Sequence, residues 1–139
     1  MTTTSRQHRD DWDSTVRDLI DEGSQSLWRE YCDALYGRLL DRWLPAEAAA
    51  TALKTDLYDE AVAGGLAPRL SAAATRVAGF DVAASVVGPA RRRHPWLRAM
   101  LADARALPLA QGSIDLALSN STLDHFDDDA DIRTSLAEL

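Results

Sequence analysis

From about residue 50 to the carboxyl end, short apolar runs alternate with segments whose apolar residues recur every three or four positions. This is the pattern of strands alternating with helices in βαβ units. It predicts strands over residues 50–55, 74–80, 97–102 and 114–118, the last a buried strand entered through the turn residues Gln111-Gly112-Ser113. Between them it predicts a helix over 60–70, interrupted by Gly64-Gly65 and Pro68. A second helix over 82–93 has Ala83, Val86, Val87 and Ala90 on one face, with Gly88-Pro89 expected to shorten or kink it. A last helix starts at Asp129, with Ile132, Leu136 and Leu139 inward. Upstream, Leu27, Trp28, Tyr31, Cys32, Leu35, Leu39, Leu40 and Trp43 mark an amphipathic helix that starts at Ser24 or Ser26 and is closed by Pro45. Its aromatic residues are expected to pack against the domain. Asp13 or Ser14 is expected to cap a short helix reaching about Glu22, and residues 1–12 read as a polar, disordered tail. The organisation is therefore a tail (1–12), an N-terminal helical segment (13–48) and an α/β core (49–139).

The polar positions are as regular as the apolar ones. Each predicted strand ends in an acid, Asp56, Asp81 and Asp103, and Asp124 follows the fourth together with Asn120, Ser121 and His125. In open α/β sheets ligands bind beyond the carboxyl ends of the strands, so these side chains fall where a site is expected. Like charges on one rim repel, and the arrangement makes sense if they accept hydrogen bonds from a ligand bearing hydroxyls, amines or positive charge. Asp81 stands about 20–25 residues after the first strand, where nucleotide-binding folds hold ribose hydroxyls. The plainer alternative is that these Asp, Asn and Ser residues cap the helices that follow.

Composition narrows the classes. The 139 residues, 46% hydrophobic, suit one domain with a core. A net charge of −7 and a pI near 4.8 speak against a nucleic-acid partner. The one basic run, Arg91-Arg92-Arg93-His94, reads as a helix end before Pro95. The single cysteine, Cys32, leaves no internal disulfide or cysteine metal cluster, and the histidines have no metal-ligand spacing. No apolar run approaches the roughly 18 residues of a membrane span, and the start is not signal-like, so the expectation is a cytoplasmic protein without a membrane partner.

Four segments in order carry a family resemblance: Val77-Ala78-Gly79-Phe80-Asp81-Val82, then Ala102-Asp103-Ala104-Arg105-Ala106-Leu107-Pro108-Leu109, then the run from Gly112 through Ser119-Asn120-Ser121-Thr122-Leu123-Asp124-His125-Phe126, and finally Ser135-Leu136-Ala137-Glu138-Leu139. The chain resembles the class I S-adenosylmethionine-dependent methyltransferases, in particular the branch called methyltransferase type 11. The resemblance implies a Rossmann-like three-layer sandwich with a parallel sheet ordered 3-2-1-4, preceded by the N-terminal helices. It implies that Asp81, with Val82 beside it, meets the ribose of S-adenosylmethionine, that Asp103 and the Ala104 backbone meet the adenine, and that Ser119, Asn120 and Ser121 border the methionine and sulfonium end. A small-molecule acceptor would approach over residues 122–126.

The sequence departs from that family in two places. Where the family has a glycine-rich turn after the first strand, this chain reads Thr55-Asp56-Leu57-Tyr58-Asp59-Glu60, so side chains replace a close backbone approach. By position, Asp56 or Glu60 is expected to hold the amino group of the methionine moiety. The family also continues past Glu138-Leu139 into further strands, so the core reads as truncated after its fourth strand, with an open edge suited to a second copy or a partner chain. Histidine titrates near neutral pH, which makes His125, with Asp124 beside it, the candidate base for O- or N-methylation. Two other classes compete: a non-catalytic methyltransferase-like interaction module, and a nicotinamide-dependent oxidoreductase that would also use Asp81.

Overall fold

The computed structural model of the chain describes residues 13–16 and 26–139. Helical residues 13–16 precede α1 (Ser26–Trp43), and then come β1 (Ala49–Lys54), α2 (Tyr58–Val62), α3 (Ala67–Ala73), β2 (Ala74–Asp81), α4 (Ala84–Arg93), β3 (Arg98–Leu101), β4 (Leu116–Leu118), a 3-10 turn (Leu123–His125) and α5 (Asp129–Glu138). The remainder of the short helix expected to reach Glu22, and the polar tail, lie outside the described residues.

The four strands form one parallel sheet in the order β3-β2-β1-β4, as the family resemblance implies. Alternation along the strands sends one set of side chains to each face. Ala52, Val77 and Ala99 join Leu57, Leu70, Val86, Val87 and Ala90 in the larger apolar layer, against α2, α3 and α4. Leu53, Ala78 and Phe80 form the smaller layer on the other face, with Met100, Ile114, Phe126 and Leu139. Such burial on both faces is why β1 and β2 read as nearly continuous apolar runs.

The differences from the sequence reading have local causes. The helix expected over 60–70 is two short helices, because Gly65 adopts φ +61° between them. The fourth strand is only three residues long and half-exposed rather than buried, since it lies at the sheet edge. Ahead of it, the Asp115 carboxylate takes the Thr51 amide at 2.8 Å, so a side chain stands where a strand would offer a carbonyl. Helix α4 runs through Pro89 to Arg93 and starts late, at Ala84. There Asp81 Oδ1 accepts the Ala83 amide, and Asp13 Oδ1 accepts both the amide and the hydroxyl of Ser85, at 2.8 and 2.7 Å. Asp13 thus caps α4 from a distance. Helix α1 departs most from expectation: Leu27, Trp28, Tyr31, Leu35 and Trp43 are 42–79% exposed instead of packed. Its inward line is Arg29, Cys32, Tyr36 and Leu40, with Arg29 anchored by Asp59 at 3.3 Å.

Candidate functional site

A cavity of about 480 Å³ opens at the carboxyl ends of the strands, within the size range of small-ligand sites. Three of its acids, Asp56, Asp81 and Asp103, come from the ends of β1, β2 and β3, and Asn120, Ser121, Asp124 and His125 come from the segment after β4. Val82 and Ala104 complete the set of expected residues on its walls.

Asp81 is the final residue of β2 and is buried. Its Oδ2 accepts the Leu57 amide at 3.1 Å and its Oδ1 the Ala83 amide at 2.8 Å, tying the turn after β1 to the start of α4. Capping and cavity wall are thus one role at this residue, since each carboxylate oxygen keeps a second lone pair. Burial holds its pKa above the ordinary value, against the pull of those amides.

The turn after β1 replaces glycine with charge. Lys54 is completely buried; its Nζ donates to the Asp56 carbonyl and lies 3.2 Å from Asp56 Oδ2 and 3.0 Å from Glu60 Oε2. Burial lowers the lysine pKa, but the charges of Asp56 and Glu60 more than offset this, and the net shift is upward. Asp56 is pushed up to about 6 by burial, with Lys54 opposing and Glu60, Asp81 and Asp59 adding to the rise. The glycine that the turn lacks is found across the sheet. A Cβ on Gly79 of β2 would lie 2.6 Å from Leu57 Cδ2, so that bare position receives the buried Leu57 side chain.

Two expected residues are not brought to the cavity. Glu60 is wholly buried, and its Oε1 accepts the amides of Leu66 and Ala67 at 2.8 and 2.9 Å, which fixes the start of α3. Of the two residues expected at the methionine amino group, only Asp56 reaches the wall. Ser119 is exposed, and its hydroxyl accepts from Thr55 Oγ1 at 3.1 Å in a cluster with Thr122 that joins the ends of β1 and β4. Asp103 is on the wall but engaged: Arg105 donates to it at 2.7–3.0 Å, and to Asp131 at 2.7 Å, and lies over the Phe126 ring. The carboxylates therefore offset their repulsion with internal partners as well as with anything bound. Asn120 carries a buried amide oxygen without a hydrogen-bond partner among the described residues. Asp124 and His125 are exposed on the 3-10 turn.

The sequence reading missed the wall supplied by α1. Trp28, Arg29, Cys32 and Tyr36 line the cavity, and Tyr58, with Arg29 over its ring, lies beside them. The spacing of these residues was visible, but the same three- and four-residue intervals describe core packing equally well.

A parallel α/β sheet with acids at successive strand ends around one cavity defines a Rossmann-like class of domain. A family model described as "Methyltransferase domain" matches residues 59–139, and the chain belongs to that family. The match begins within the charged turn, at Asp59, beyond Lys54 and Asp56. A search of curated proteins found no match. Among solved structures, the N-methyltransferase NodS from Bradyrhizobium japonicum WM9, in complex with S-adenosyl-L-homocysteine, aligns with TM-score 0.64 and 20% identity over 76% of this chain and 53% of its own. A putative S-adenosyl-L-methionine-dependent methyltransferase from Methanococcus maripaludis aligns with TM-score 0.66 and 13% identity over 91% and 57%. CalS10, an amino pentose methyltransferase from Micromonospora echinaspora involved in calicheamicin biosynthesis and solved with bound S-adenosylmethionine, aligns with TM-score 0.60 and 19% identity over 88% and 49%. This chain spans about half the length of those structures. None of the helices among the described residues is long and apolar enough to cross a membrane.

Proposed function

We propose that the chain catalyses methyl transfer from S-adenosylmethionine to a hydroxyl or amine of a small molecule. The observation that carries this reading is the convergence of Asp56, Asp81 and Asp103 on one cavity at the strand ends, in a chain of the methyltransferase family. When bound, S-adenosylmethionine supplies a methyl carbon on a positively charged sulfur, open to in-line displacement by an acceptor lone pair. Asp81 accepts hydrogen bonds from the ribose hydroxyls, with Val82 beside it. Asp103 and the Ala104 backbone meet the adenine, and Asn120 and Ser121 border the methionine end. Asp56 takes the amino group. His125, with Asp124 adjacent, accepts the proton that the acceptor oxygen or nitrogen gives up, and positioning supplies most of the rest.

The walls favour an amine over an anionic acceptor. Asp56, Asp59, Asp81, Asp103 and Asp124 all line the cavity, whereas Arg29 and Arg105 are already engaged by acids. NodS and CalS10, as an N-methyltransferase and an amino pentose methyltransferase, are in keeping with this.

Isothermal calorimetry with S-adenosylmethionine, S-adenosylhomocysteine and NAD tests the reading. Binding of the first two and not the third supports it. Binding of NAD alone points to an oxidoreductase, and binding of none to an interaction module that keeps the fold.

A further inference from the structure

Lys54, Asp56 and Glu60 form one unit with a fixed end and a working end. The fixed end is Glu60, fully buried, which holds the first amides of α3 with one oxygen and faces the Lys54 ammonium with the other. Gly65 belongs to the same end: a Cβ there would lie 2.3 Å from Glu60 Oε1, so the turn and the carboxylate fit only together. Lys54 joins the two ends. Its ammonium is shared between the Glu60 carboxylate and both the carbonyl and the carboxylate of Asp56. Asp56 alone of the three lines the cavity, and its side chain keeps 15% exposure. One cation against two carboxylates leaves a negative charge over, and Asp56, whose Oδ1 also takes the Tyr58 amide at 3.2 Å, carries that charge to the cavity wall.

Building on the methyl-donor reading above, we propose that Lys54 is a positioning residue for the cofactor's amino-acid end: it holds the Asp56 carboxylate charged and aimed at the cavity, where that carboxylate accepts the α-ammonium of the methionyl group. The charged unit does by side chains what a glycine-rich turn does by close backbone approach. The charged groups acting on Asp56 are Lys54 from β1, Asp59 and Glu60 from α2 and Asp81 from β2; of these Lys54 alone opposes its protonation, helped by the Tyr58 amide that donates to Asp56 Oδ1. Removing that ammonium therefore favours protonation of Asp56 and releases its carboxylate from the geometry that aims it at the cofactor's ammonium.

The test compares the binding of S-adenosylhomocysteine with that of 5′-methylthioadenosine, which carries the same adenosine and thioether but no amino-acid end. The proteins are the wild type, Asp56→Asn, Lys54→Met and the charge-balanced double variant Lys54→Met/Glu60→Gln. A charge-assisted hydrogen bond corresponds to about tenfold to a hundredfold in affinity. The wild type is expected to prefer S-adenosylhomocysteine by that factor, and Asp56→Asn and Lys54→Met to bring the ratio close to one with 5′-methylthioadenosine binding unchanged. The wild-type ratio is also expected to fall as pH drops through about 6, where Asp56 takes up its proton. A ratio unaltered in Asp56→Asn, or equal losses for both nucleosides in the variants, overturns the proposal. Should Lys54→Met fail to fold, the double variant, expected to bring the ratio close to one and overturning the proposal if it keeps the wild-type ratio, decides together with the wild-type pH profile. A wild type that binds neither nucleoside overturns the methyl-donor reading itself, and the role of Lys54 with it. A wild type that binds both nucleosides equally leaves the donor reading standing and removes only the role of Lys54.

Discussion

Two acids at strand ends on the same rim of the sheet, Asp56 after β1 and Asp103 after β3, look alike in the sequence and are held by cations in different physical regimes. Asp56 shares a completely buried lysine with a second buried carboxylate, and burial outweighs the lysine, pushing its pKa up to about 6. Asp103 meets Arg105 in a partly exposed fork shared with Asp131, and the hydrogen bond to Asp103 raises the pKa of the arginine. A cation is present in both cases. The acids are about equally exposed, at 15% and 18%; what differs is the water at the cation, since Lys54 is sealed off and Arg105 is not, and with it how much each ion pair costs to break.

The largest effect expected from that contrast is on Lys54. Lys54→Met leaves the fully buried Glu60 carboxylate uncompensated and should cost about 3–5 kcal/mol in urea denaturation, with much of it recovered in Lys54→Met/Glu60→Gln. Next comes pH. Because burial raises the Asp56 pKa, the fold prefers this group neutral, so its stabilising contribution is complete below about pH 4 and is lost as pH rises through about 6. The melting temperature of the wild type minus that of Asp56→Asn should therefore fall across this window, by the equivalent of up to about 2–3 kcal/mol. A difference that stays flat would show that burial does not penalise the Asp56 charge. Gly79→Ala should cost about 1–2 kcal/mol by forcing Leu57 off the sheet, and should loosen the turn that carries Asp56. Smallest is Arg105→Met, at no more than about 1 kcal/mol, because its ion pairs are partly exposed and screened. An Arg105→Met cost equal to that of Lys54→Met would abolish the distinction between the two ion pairs.

The same contrast explains what could be read from the sequence. β1 and β2 were legible to within a residue or so, because apolar runs bounded by turn residues have few other solutions in a parallel sheet. That Asp81, Asp103, Asn120, Ser121, Asp124 and His125 line one cavity was legible because each lies at or just beyond a strand end. The α1 wall was not, since Trp28, Cys32 and Tyr36 at helical spacing carry the signature of ordinary packing. Glu60 was assigned to the site on its charge and its place in the turn, and it is instead a buried anchor for α3. Its partner Lys54 escaped notice because a lysine inside an apolar strand gives no sign, without its neighbours in space, that it is sealed from solvent.

One carboxylate, that of Asp81, holds two main-chain amides that are far apart in the sequence, Leu57 and Ala83. Those two N–H groups are natural reporters of whatever reaches that side chain. In an amide-resolved spectrum their resonances should move together on titration with a nucleoside, while amides on the opposite end of the sheet, such as Arg76, stay in place, so the first contact of ligand with protein can be followed without any label on the ligand.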